Sequence, residues 1–86
     1  MKLLFFSSLF CDPCIQTRAV LEQAVSLVPA LTVAELDVSR DVDEAERAGI
    51  RSTPTIIVLG ADDQEVFRAE GAPTIQQVLS ALALAV

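Results

Sequence analysis

The sequence predicts an α/β fold, a mixed four-stranded sheet with helices on both faces in the order β-α-β-α-β-β-α. Three observations lead there. Apolar residues recur at strand-like and then helix-like periods in turn along the chain. The turn residues Gly60-Ala61-Asp62-Asp63 join the last two strand-like segments as a hairpin. With 86 residues, 52% of them hydrophobic, the chain suits one aliphatic core and a single domain over 1–86.

Leu3 to Ser7 is a short apolar run suited to a buried strand. Met1-Lys2-Leu3-Leu4-Phe5-Phe6 opens as a secretory leader does, but the run breaks at Ser7-Ser8 and no small-x-small site follows. We read it as the first strand. Cys14 to about Val28 is helical in pattern, with Val20, Leu21, Ala24, Leu27 and Val28 on one face and Pro29 as its stop. Leu31 to Val38 alternates around Val33 as a second strand. Asp41 or Asp43 caps a short helix through Ala48, and Gly49 ends it. Thr55 to Leu59 is the strongest strand signal, and Glu65 to Glu70 pairs back on it. Thr74 caps a last helix whose apolar stripe is Ile75, Val78, Leu79, Leu82 and Val86. A strand–helix–strand opening implies a parallel pair with a right-handed crossover, and the hairpin adds two antiparallel strands.

A net charge of -6 speaks against nucleic acid as partner, because phosphate binding needs clustered Lys and Arg. Here the basic residues are scattered at Lys2, Arg18, Arg40, Arg47, Arg51 and Arg68. No apolar run approaches the ~20 residues that span a bilayer. We expect a soluble, cytoplasmic protein with no membrane association.

The chemistry concentrates at Cys11-Asp12-Pro13-Cys14, at the end of a predicted strand and the start of a helix. A cysteine at or next to the helix N-cap meets unpaired backbone N–H groups and the positive end of the helix dipole. Both stabilise a thiolate and draw the thiol pKa from ~8.5 towards ~7. The second cysteine, about a turn on, is placed to resolve a mixed disulfide. Pro13 suits the first turn, where its missing N–H is not needed. Asp12 favours the helix N-terminus but opposes a thiolate at Cys11. We therefore expect a Cys11 pKa no lower than that ~7 and a reducing rather than oxidising poise. Two cysteines without any His cannot complete a four-coordinate zinc site; zinc or an iron–sulfur cluster would need a dimer or several carboxylates. An inert disulfide across this gap would close too small a loop to add much stability. A redox-active Cys11–Cys14 dithiol is the reading adopted, with no metal and no other cofactor.

Thr53-Pro54 is the second feature. From the residues alone, Pro54 is either a cis proline in a specific turn or a trans proline opening an edge strand. The segment GIRSTPTIIVLGADDQEVFRAEG, from Gly49 to Gly71, is similar to the second half of a thioredoxin. Together with the upstream Cys-x-Pro-Cys, the resemblance covers nearly the whole chain. As read here the chain lacks the extra N-terminal strand and helix of full-length thioredoxins, so it resembles a small thioredoxin, with a thioredoxin-like fold of glutaredoxin size.

The resemblance implies that the Thr53–Pro54 bond is cis and faces the dithiol. It also implies that the Thr53 backbone pairs with an extended substrate segment, a strand-addition mode that reads main chain more than side chains. Gly71-Ala72 resembles the small loop where a partner approaches; an ordinary turn before a helix would look the same. Phe10 stands where these proteins usually carry a tryptophan; it could still shield the dithiol, but the hydrogen-bonding indole is lost. Phe5 replaces the usual buried acid of the first strand, and Glu35 replaces its basic neighbour. General-base assistance to Cys14 would then have to come from Glu35 or Asp12.

A glutathione-dependent glutaredoxin should carry an acid in its Gly-Gly-x-Asp-like turn and basic residues around the dithiol. Gly71-Ala72-Pro73-Thr74 has no acid, and no Lys or Arg flanks Cys11. We therefore expect a monomeric reductant of protein disulfides, fed by a thioredoxin-reductase-like donor rather than by glutathione. Its class-different rival is a non-catalytic module that keeps the fold to bind a partner or a metal.

Overall fold

The computed structural model describes residues 1–86. Its elements are β1 (Lys2–Ser7), α1 (Asp12–Leu27), β2 (Thr32–Asp37), α2 (Val42–Ala48), β3 (Thr55–Leu59), β4 (Glu65–Glu70) and α3 (Ile75–Ala83). The sheet runs β2-β1-β3-β4, with β1 parallel to β2 and the other pairs antiparallel. The expected order and mixed sheet are both present.

The two-residue period of a strand sends alternate side chains to opposite faces. Leu3 and Phe5 of β1, with Ile56 and Val58 of β3, enter the larger core beneath α1 and α3. There they meet Leu21 and Ala24 of α1, and Val78, Ala81 and Leu82 of α3. Phe6 and Ile57 point the other way, against Ala45 of α2. Burial of each large aliphatic or aromatic side chain contributes roughly 1.5–3 kcal/mol. β1, buried on both faces and paired on both edges, holds the two cores together.

Helix ends follow local chemistry. Thr74 closes a capping box on α3: its Oγ1 accepts from Gln77 N–H at 3.1 Å, while Gln77 Oε1 accepts from Thr74 N–H at 2.8 Å. Gly49 ends α2 in the left-handed region at φ 68°, where Ile50 N–H reaches Ala45 O and Gly49 N–H reaches Glu46 O, both at 3.0 Å. Asp41 occupies the N-cap position of α2 without capping it; its carboxylate instead accepts from Asp37 N–H at 3.0 Å.

Three further expectations are corrected. α1 begins at Asp12 rather than Cys14, because Asp12 and Pro13 both fit a first helical turn and Cys11 serves as its cap. Leu27 is 57% exposed. The stripe passes from Ala24 to Val28, leaving Leu27 outside it. Val86 lies beyond α3 and is 94% exposed. The chain closes two tight turns at Leu84 and Ala85, and Ala85 packs on the core in its place.

A Cβ added at Gly49 would meet nothing within 4 Å, so Gly49→Ala tests the backbone alone. We expect a loss of about 1 kcal/mol in urea unfolding, the cost of holding alanine left-handed, with the native fold retained.

Candidate active site

β1 ends at Ser7, and Ser8-Leu9-Phe10 turns the chain into α1. Phe10 makes the turn in the left-handed region, at φ 58°, a conformation costly for an aromatic residue. Cys11 follows in extended geometry and caps the helix: its Sγ accepts from Cys14 N–H at 3.2 Å. A backbone N–H that begins a helix is thereby aimed at the Cys11 sulfur, the arrangement that favours a thiolate there. Cys11 and Cys14 form a disulfide, with their Cα atoms 5.2 Å apart. The two sulfurs are not equivalent. Cys11 is half-buried, whereas Cys14 is 1% exposed and packs in the main core. Asp12 and Pro13 occupy the first turn and are exposed.

The facing wall is the loop before β3. The Thr53–Pro54 peptide bond is cis and Pro54 is buried. Thr53 Oγ1 lies 3.9 Å from Cys11 Sγ as a donor and 2.7 Å from Ser8 Oγ. Pro54 O accepts from Gly71 N–H at 2.9 Å, which ties the start of the β4–α3 connection to the loop. Glu70 braces the same loop, accepting from Arg51 Nη2 at 2.8 Å and Ser52 Oγ at 3.0 Å. Arg51 foremost, then Ser52, holds the Glu70 carboxyl below its ordinary pKa.

The dithiol opens into a crevice of about 370 Å³ that Leu9, Phe10, Asp12, Ile15 and Arg18 help to line. Leu9 and Ile15 are exposed, and Phe10 is fully so at 104%. Phe10 therefore forms an apolar rim and does not cover the disulfide as a shield. Gly71 and Ala72 line the larger groove between β4 and α3. The Gly71–Pro54 hydrogen bond, next to the Thr55–Glu70 pair of the β3–β4 ladder, ties them to the proline loop.

The replacements at Phe5 and Glu35 have a clear structural outcome. Phe5 is a core residue beneath the helix. Glu35 accepts from Arg18 Nε at 2.9 Å, from Arg18 Nη2, and from Ser7 Oγ at 2.9 Å. The Arg18 hydrogen bond foremost, with Ser7 assisting, lowers the Glu35 pKa, so this carboxylate is a weak proton acceptor near neutrality. Arg18 also lies over the Phe5 ring, 5.8 Å from its centroid. Sequence reasoning missed Arg18 as a neighbour of the dithiol. Its spacing of four from Cys14 on a helix was the available signal.

No group of three or more His, Cys, Asp or Glu side chains is gathered to hold a metal ion. No helix is long and apolar enough to cross a membrane.

A helix-capping cysteine, a buried partner cysteine one turn on, and a facing cis-proline loop define a thiol–disulfide oxidoreductase. The Thioredoxin family model matches residues 1–83. A thioredoxin of Chlamydia muridarum (strain MoPn / Nigg) is 35% identical over 71 residues, covering 83% of this chain and 69% of that protein. The X-ray structure of Fasciola hepatica thioredoxin superposes with a TM-score of 0.88 at 21% identity, covering 99% of this chain and 80% of that one. Oxidised mitochondrial thioredoxin 3 from Saccharomyces cerevisiae gives 0.84 at 21% identity, over 95% and 76%. The chain belongs to the thioredoxin family.

Two outcomes are expected. Glu35, Glu65 and Glu70 all have folded pKa values below the ordinary range, mainly through hydrogen bonds from Arg18, Arg68 and Arg51 respectively. Their stabilisation is present above the unfolded value of about 4.3 and is lost as pH falls through the depressed folded values. Urea midpoints should be flat from about pH 7 to pH 5 and drop below about pH 4. Glu35→Gln should leave the pH profile of disulfide reduction between about pH 6 and 8 unchanged; a general base at Glu35 would instead show a lost ascending limb.

Proposed function

We propose that this thiol–disulfide oxidoreductase works as a dithiol reductant of protein disulfides, with Cys11 as nucleophile and Cys14 as resolving thiol. The observation that carries the assignment is the unequal surroundings of the two sulfurs. Cys11 is the more accessible and receives the Cys14 N–H at 3.2 Å, while Cys14 is buried behind it.

In the forward direction the Cys11 thiolate attacks one sulfur of a substrate disulfide. One new S–S bond forms, the substrate bond breaks, and the substrate sulfur leaves as a thiolate that can take the Cys14 proton. Cys14 then loses its proton and attacks Cys11 Sγ, expelling the second substrate thiolate. The substrate gains two electrons, and the protein is left as the Cys11–Cys14 disulfide. No metal or organic cofactor enters this sequence. Asp12 and Pro13 shape the turn that presents Cys11. The Thr53 main chain, beside cis-Pro54, pairs with the extended substrate segment. Leu9, Phe10 and Ile15 supply apolar contact around it, and Gly71 and Ala72 leave room at the neighbouring edge.

Regeneration falls to a thioredoxin-reductase-like protein rather than to glutathione. The exposed turn Gly71-Ala72 lacks the acid that would hold a glutathione amine, which supports this choice. A monomer in a reducing, cytoplasmic setting fits the same reading.

Cys14→Ser should accumulate a covalent mixed disulfide with a protein substrate on non-reducing gels, and Cys11→Ser should accumulate little; the opposite pattern would reverse the roles. Reduction of insulin with dithiothreitol should fall at least ~100-fold in Cys11→Ser. Turnover with glutathione and glutathione reductase, but not with a thioredoxin reductase, would overturn the donor assignment.

A further inference from the structure

We propose that Ser8 is a positioning residue for the dithiol: its hydroxyl donates to Thr53 Oγ1 and thereby turns the Thr53 proton onto the Cys11 thiolate. The inference rests on the reading of Cys11 as the sulfur that must ionise.

Strand register brings the two hydroxyls together. In the antiparallel β1–β3 pair, Phe6 lies opposite Thr55. Carried two residues past the paired segment, the same register sets Ser8 opposite Thr53. The side chains meet at 2.7 Å, Oγ to Oγ1, a typical distance for a hydroxyl–hydroxyl bond. From there Thr53 Oγ1 is 3.9 Å from Cys11 Sγ. Ser8, Thr53 and Cys11 are each half-buried, so bulk water competes only in part for these bonds.

A hydroxyl carries one proton and two lone pairs, so only one orientation of the pair serves a thiolate. If Thr53 donates to Ser8, its proton is spent and its oxygen faces the sulfur with lone pairs. If Ser8 donates to Thr53, the Thr53 proton is free for the sulfur. In the disulfide the sulfur is a weak acceptor and favours neither orientation strongly. In the thiolate it is charged, and a chain of two hydrogen bonds ending on a charge is favoured cooperatively. The Cys14 N–H at 3.2 Å is the second donor to the same sulfur.

The charged groups around Cys11 are few. Asp12 and Arg18, both on α1, line its crevice. On the facing loop Arg51 is engaged with Glu70, and Ser8 to Phe10 bring no charge. Removing the Ser8 hydroxyl leaves these charges in place, so a shift in Cys11 titration reports the hydroxyl chain itself.

The test is the ionisation of Cys11 in a Cys14→Ala background, followed by thiolate absorbance and by iodoacetamide rate against pH. Ser8→Ala should lower the thiolate fraction near pH 7 by about 3- to 10-fold, the loss of one relayed charge-assisted hydrogen bond. Thr53→Val should lower it by at least as much, and Ser8→Thr should restore it. In a Thr53→Val background, Ser8→Ala should have no further effect, because its path to the sulfur is already cut. An unchanged titration in Ser8→Ala, or an equal shift with and without Thr53 Oγ1, would overturn the relay. Far-ultraviolet circular dichroism on each variant confirms that the fold compared is the same. This titration reads Cys11 directly, whichever cysteine attacks substrate, so its failure is distinct from failure of the trapping experiment.

Discussion

The pairing of β1 on both edges decides where the chemistry sits. Parallel pairing with β2 requires a crossover, and α1 is that crossover, laid over Leu3 and Phe5 on one face of the sheet. Its N-terminus therefore stands at the C-terminal end of β1, only a few residues beyond Ser7. Antiparallel pairing with β3 brings the start of β3 to that same end, since Phe6 faces Thr55. The cysteine-bearing turn and the proline loop are thus opposed by sheet register. The Gly71–Pro54 hydrogen bond and the Glu70 contacts to Arg51 and Ser52 then fix the loop from β4.

Much of this was legible because it depends on periods and on strong local signals. The alternation of Leu3 and Phe5 against Leu4 and Phe6 reads directly as a strand buried on both faces. Thr74 with Gln77 three residues on, and Gly49 after Ala48, name their helix ends by capping chemistry. Cys11 at a strand–helix junction announces the dithiol. The less legible parts depend on pairs far apart in the chain. Ser8 with Thr53, and Arg18 with Glu35, are contacts across 45 and 17 residues that no local period reveals. Leu27 and Val86 show the opposite limit: an apolar residue near a helical stripe is buried only if something packs on that side.

The electrostatics near Cys14 differ in kind from a site that keeps a buried acid. A free carboxylate under the helix would be poorly solvated, and its pKa would rise towards the range useful for proton transfer. This chain instead places Phe5 in the core and moves the acid to Glu35, nearer the surface, paired with Arg18. The pair lowers the Glu35 pKa, the opposite direction. An exposed pair of this kind contributes only a few tenths of a kcal/mol to stability. Its structural contribution is to hold Arg18 across the Phe5 ring, at the edge of the dithiol crevice.

With Glu35 held ionised by Arg18, the proposed resolving step has the substrate itself to lean on. In a mixed disulfide on Cys11, the thiolate already expelled is basic and close by, and solvent reaches the crevice through its exposed apolar rim. Those two acceptors suffice if Cys14 needs to ionise only once substrate is bound. The protein's own donors, Cys14 N–H and the Thr53 hydroxyl, are gathered on Cys11 Sγ. In the proposed reaction they are placed to stabilise charge on Cys11 both when it begins as a thiolate and when it leaves as one in the reverse direction. Hydrogen-bond support thus goes to Cys11, the sulfur proposed to meet substrate. The buried sulfur is left to packing.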